Sequence, residues 1–133
     1  MAGLLTHLGI ALIGGLIAGL IFNHWKYGVA FGFGHLIPDL IDFGIPGLLM
    51  GSANPAEIMS HPWFYPLMLL GHTWWHWVLF GILIFLTALL LYKLKKIKKN
   101  TFTCTVLILI SFLIGVMIHL IIDILIIERS YWV

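Results

Sequence analysis

The chain has 133 residues, of which 62% are hydrophobic and only 9% charged, too little polar surface for a water-soluble globule and the balance of an integral membrane protein. Its single cysteine, Cys104, excludes an internal disulfide and a thiolate metal cage. The net charge of +2 gives no basis for binding nucleic acid, because five of the seven basic residues fall in one run, KLKKIKK (93–99), which membrane topology explains.

A membrane-crossing helix needs about 20 mostly apolar residues, and four segments meet that need in a single transmembrane domain over 1–133 with no internal repeat. The first runs over roughly 4–22. It has no basic leader before it and no small-residue cleavage site behind it, so we read it as a retained span and not a signal peptide. His7 heads a stripe of Ala11, Gly15 and Gly19 at helical spacing, which turns it toward the bundle. The second segment, 29–50, is interrupted by Pro38 and Pro46 and loosened by glycines. Irregular backbone at membrane depth is tolerated only where it is buried in protein or lines a wet cavity. Asp39 and Asp42 stand three apart here, and His35, four before Asp39, is either a further ligand or the partner that fixes one.

The third segment, 64–92, carries His72 and His76 four apart, hence on one helical face. Its outer end is marked by Trp63, Tyr65, Trp74, Trp75 and Trp77, and its inner end by Tyr92. The fourth, 102–127, carries His119 and Asp123 four apart, continuing a stripe of Ser111 and Gly115 that lets a neighbouring helix approach. Tyr131 and Trp132 would close the outer aromatic belt. His24 and His61 fall in loops and read as structural.

The lysine run belongs inside by the positive-inside rule. This places Lys26 inside and both chain ends outside, in a cell (plasma or inner) membrane. Counted at ~1.5 Å per residue from the cytoplasmic lysines, His7, Asp39, Asp42, His72, His76, His119 and Asp123 lie roughly 20 to 36 Å above them. Polar groups from all four spans therefore share one layer, in the outer half of the bilayer.

Imidazole and carboxylate groups on inward faces suit Zn²⁺ or, with more oxygen, Mn²⁺ or Fe²⁺. A cation would also neutralise aspartates that cost about 2.5 to 3.5 kcal/mol each at a helix centre. Seven candidate ligands exceed one tetrahedral site, so one ion or two bridged ions fit the count, and a bridged pair suits phosphoester hydrolysis. There is no HExxH motif, which leaves Asp39 or Asp42 as general base, or attack by metal-bound hydroxide.

These residues resemble the LexA-regulated, membrane-bound metal-dependent hydrolase family, called YdjM-like. That family carries an early histidine, a PDxD element, an HRGxTHS element opening a span and a late SHxxxD. Here His7 in THLGIALIGG stands for the first, Asp39 and Asp42 in IPDLID for the second, His72 and His76 in GHTWWHW for the third, and His119 with Asp123 in IHLIID for the last. The aspartates are three apart instead of two and the histidines four instead of five, and the arginine, glycine and serine of the third element are missing. The resemblance spans the chain and implies a metal-binding membrane fold with hydrolase activity on lipid or phosphoester substrates.

The leading expectation is thus an all-α, four-transmembrane-helix bundle carrying a membrane-embedded metal hydrolase that takes an amphipathic substrate from the bilayer. Alternatives are a metal-ion or proton transporter or channel subunit, a haem protein, disfavoured because two histidines on one helix cannot bracket a haem, and a small accessory subunit. Partners under these readings are the lipid bilayer, another copy of the chain, or a membrane complex.

Overall fold

The computed structural model describes residues 3–126, so Tyr131 and Trp132 lie outside the described residues. The chain forms α1 (Leu4–Ile21), α2 (Trp25–Asp39), a π-helical turn (Leu40–Gly44), α3 (Ile45–Met50), α4 (Pro55–Ser60), α5 (Phe64–His72), α6 (Trp74–Lys93) and α7 (Lys99–Leu125). No strand is present among the described residues. Four stretches, Leu4–Ile21, Trp25–Met50, Trp74–Lys93 and Lys99–Leu125, are long and apolar enough to cross a membrane. Leu12, Leu16 and Leu20 of α1 stand largely bare on one side, a column for which hydrocarbon is the fitting solvent.

Helix α2 lies at the centre, packed on α1 and on α7, and α7 in turn carries α6. Two glycines allow the α2–α7 approach. A Cβ on Gly34 would run into the backbone carbonyl of Phe112, and one on Gly115 into that of Phe31. Ser111 completes the seam, its buried hydroxyl donating to the Tyr27 carbonyl at 2.7 Å. With packing and interhelical hydrogen bonds as the glue, the small residues bring His35, beside Gly34, and His119, one turn beyond Gly115, into edge-to-face ring contact.

The irregularity of the second span takes the form of a π-turn. Pro38 cannot donate a backbone hydrogen bond, and the π-turn follows directly from Leu40, with Pro46 in the first turn of α3. The backbone stays right-handed helical through Asp39, Leu40 and Ile45, so the chain changes pitch without a gap. Such turns redirect side chains and recur at functional sites. Phe43 of the turn is buried against Ile58 of α4 and Phe64 of α5, which clamp it.

The third span departs from expectation. A single helix over 64–92 is replaced by α5 and α6, separated at Thr73, which is extended (φ −94°, ψ 107°). The break exposes the last carbonyls of α5, which need donors. Trp77 Nε1 donates to Gly71 O at 2.7 Å, and His76 Nδ1 meets Leu70 O at 3.3 Å. Trp77 is therefore buried with Val116 and Leu120 and is not an interface anchor, whereas Trp63, Tyr65, Trp74 and Trp75 are exposed.

Candidate metal centre

Six of the seven residues singled out from the sequence meet in one buried cluster. His7 enters from α1, Asp39 from the end of α2, Asp42 from the π-turn, His72 from the last position of α5, and His119 and Asp123 from α7. His7, Asp42 and His119 are fully buried and Asp39 is 5% exposed. His35 of α2 is fully buried beside them.

Asp39, His72, His119 and Asp123 each offer a ligand atom, all within 4.8 Å of one another. His72 Nε2 lies 3.0 Å from Asp123 Oδ2 and 3.3 Å from His119 Nε2, and the third side of that triangle, His119 Nε2 to Asp123 Oδ2, is 3.4 Å. Asp39 Oδ1 stands over the triangle, 3.6 Å from His119 Nε2 and 3.7 Å from His72 Nε2. Zinc bonds of about 2.0 to 2.2 Å to nitrogen and oxygen place tetrahedral ligands about 3.3 to 3.6 Å apart. Those five distances bracket that spacing. A carboxylate with no donor is otherwise costly to bury, and both Asp39 oxygens are buried without a hydrogen-bond partner. This group could hold a metal ion.

The surrounding residues orient the four. Asp42 Oδ2 lies 3.4 Å from His72 Nδ1, a close contact without hydrogen-bond geometry, so a carboxylate stands at the outer edge of the imidazole whose inner edge faces the ligand group, the side on which a ligating histidine usually finds its partner. Asp42 itself belongs neither to this group nor to a second one, His7, His35 and His119, whose ring nitrogens also lie close enough together to hold a cation. On the other side a chain of contacts runs from Gly115 O to His35 Nδ1 at 3.2 Å, from His35 Nε2 to His7 Nδ1 at 3.1 Å, and from His7 Nε2 to Asp123 Oδ1 at 3.2 Å. A carbonyl only accepts, so His35 Nδ1 carries hydrogen. If both rings are neutral, His35 Nε2 accepts from His7 Nδ1 and a bare His7 Nε2 confronts Asp123 Oδ1. Two acceptors at that separation repel, so the last gap requires a proton or a cation. His7 also stacks on His119 at 4.1 Å between ring centroids, fixing that ring in turn.

His76 does not join the cluster. The turn at Thr73 removes the i, i+4 relation that would have put it on the face of His72, and its ring nitrogen meets the end of α5 instead. His24 and His61 have local roles: their Nδ1 atoms accept from Lys26 N at 3.3 Å and Trp63 N at 3.2 Å. His35 was legible as a candidate through its spacing from Asp39, but its bond to His7 joins α2 to α1 and has no local signature.

Asp39 has a second aspect. It also lines a cavity of about 530 Å³ bounded by α1, the π-turn and α3, so one carboxylate touches both the ligand group and an apolar space. No family model, curated protein or solved structure matches this chain.

Proposed function

We propose that the protein is a membrane-embedded metal-dependent hydrolase, in keeping with its likeness to the YdjM-like family. His72, His119 and Asp123 bind one divalent cation, zinc best suiting two nitrogens and a carboxylate in tetrahedral array. The observation that carries this reading is the gathering of ligand atoms of Asp39, His72, His119 and Asp123 within 4.8 Å of one another, with five separations of 3.0 to 3.7 Å around the spacing zinc ligands take. Catalytic zinc sites keep three protein ligands and leave the fourth corner for exchange. Asp39 occupies that corner at the two longest distances, 3.6 and 3.7 Å, and is the member of the four that lines the cavity.

When bound, the cation supplies Lewis acidity toward an ester or phosphoryl oxygen and makes water a competent nucleophile near neutral pH. Asp39 accepts the proton of the attacking water at Oδ and returns it to the leaving oxygen. Asp42 keeps the Nε2 lone pair of His72 aimed inward, and His7, braced by His35, holds Asp123. The apolar walls of the cavity exclude bulk water. With the lysine run inside, the centre belongs to the outer half of the cell membrane, within reach of lipid or amphipathic phosphoesters. Conduction of ions would call for polar groups at successive depths, whereas α1 and α2 meet on the inner side through Ala11, Gly15, Gly28 and Gly32.

The test is elemental analysis of detergent-purified protein. About one equivalent of a divalent transition metal is expected, lost in His119→Ala and kept in His76→Ala. Asp39→Asn should retain metal and lose hydrolysis of a phosphodiester. Protein without stoichiometric metal, or with metal untouched by His119→Ala, would overturn the reading.

A further inference from the structure

We infer that the cavity beside Asp39 receives the hydrocarbon chain of a membrane lipid, so that the reacting group arrives at the centre as the head of a bilayer lipid and not as a soluble ester. The position of the reacting group rests on the metal-centre reading. The chain-binding role rests on the cavity alone.

Of the thirteen residues that line the cavity, only Asp39 and Ser52 have polar side chains. A space that held water would need several polar partners for it, and this one has almost none. Its volume of about 530 Å³ falls in the range of sites that enclose a small ligand. From Asp39 the lining continues through the π-turn and α3 to Gly51.

The wall is open for a chemical reason. Gly44, Gly47 and Gly51 bring no side chains to it, and at Gly44 an added Cβ would meet only the side chain of Leu40, at 3.6 Å. The rim faces lipid, with Leu48 85% and Leu40 47% exposed. The only charged group on the lining is Asp39, buried, with neither oxygen hydrogen-bonded. An apolar trough reached from the bilayer and ending on a ligand-group carboxylate matches an amphiphile with one chain inserted and its polar head at Asp39.

The experiment uses the whole chain in vesicles of phosphatidylcholine and phosphatidylglycerol containing a phospholipid with a diazirine in its acyl chain. Light-induced adducts are mapped, and metal content is measured on the same samples. Adducts are expected to concentrate on Leu4, Leu8 and Leu48 and to fall at least about tenfold in Gly44→Phe, which fills the trough, with metal retained; Gly44→Ala, adding one methyl in ordinary contact, should change neither. In parallel, hydrolysis of hexadecyl p-nitrophenyl phosphate should lose at least about tenfold in kcat/KM in Gly44→Phe, while the methyl ester changes less than about twofold. Adducts spread evenly over α1 and α6 and unaffected by Gly44→Phe would overturn the inference, as would cross-links to a second copy of the chain in place of lipid. Concentrated adducts in protein that lacks metal would uphold the inference and remove the metal-centre reading.

Discussion

Asp42→Asn separates two effects that a buried carboxylate usually confounds. Asp42 is fully buried, with its Oδ2 atom 3.4 Å from Nδ1 of His72, and the amide keeps its volume while losing its charge. If Asp42 holds the Nδ1 hydrogen and so keeps Nε2 free to ligate, the variant should bind Zn²⁺ about 10- to 100-fold more weakly, the usual loss when a carboxylate behind a ligating histidine is removed. That range corresponds to about 1.4 to 2.7 kcal/mol. The metal-free protein should move the other way. Removing a carboxylate from membrane depth relieves an insertion cost of up to about 2.5 to 3.5 kcal/mol, so apo Asp42→Asn should unfold at a higher temperature than the apo parent. Affinity is read by competition with a chromophoric chelator in detergent, and apo stability by tryptophan fluorescence on heating. Zinc affinity within about twofold of the parent would refute the orienting role of Asp42.

The other predictions concern how the cluster is held. Trp77→Phe removes the indole donor from Gly71 O, leaves a buried carbonyl unsatisfied, and should cost about 1 to 3 kcal/mol in denaturant unfolding; His76→Ala, at a less buried contact, should cost less and leave metal content unchanged. Gly115→Ala should push the Phe31 carbonyl away and destabilise the protein by about 1 to 3 kcal/mol, with zinc affinity lowered because His35 and His119 no longer meet; unchanged affinity would mean that the α2–α7 seam does not position the site. Ser111→Ala breaks the 2.7 Å bond to Tyr27 O on the same seam and should cost only about 0.6 kcal/mol, with metal content intact.

Much of the site was legible because helical spacing is local. His119 and Asp123 share a face for the same reason that any i, i+4 pair does, and they reach the cluster together. Asp39 and Asp42, three apart, also stay together, although the pair divides its work: Asp39 faces Nε2 of His72 and Asp42 faces Nδ1. Counting residues from Lys26 brought His7 to the same layer. The readings that failed depend on events with weak local signals. Nothing in MLLGHTWWHWVL announces that the helix stops at Thr73, since every residue around it is compatible with helix or membrane. The stop is set by how α5 packs, with Gly71 against the Pro38 carbonyl, and by Trp77, which leaves the interface to satisfy the carbonyl the stop exposes.

Hydropathy and charge placement, read from the chain alone, determined that this is a helical membrane protein with four spans, because a helix in hydrocarbon must satisfy its backbone within itself and so writes its length directly into a run of apolar residues. They also determined which polar residues are too costly to be incidental. Only the tertiary structure decided which of those groups touch: it joined His35 to the cluster, removed His76, set Asp42 behind His72 and turned Asp39 toward both the ligand group and the cavity. Those outcomes rest on helix–helix approach and on where a helix ends, and both are fixed by contacts between segments far apart in sequence.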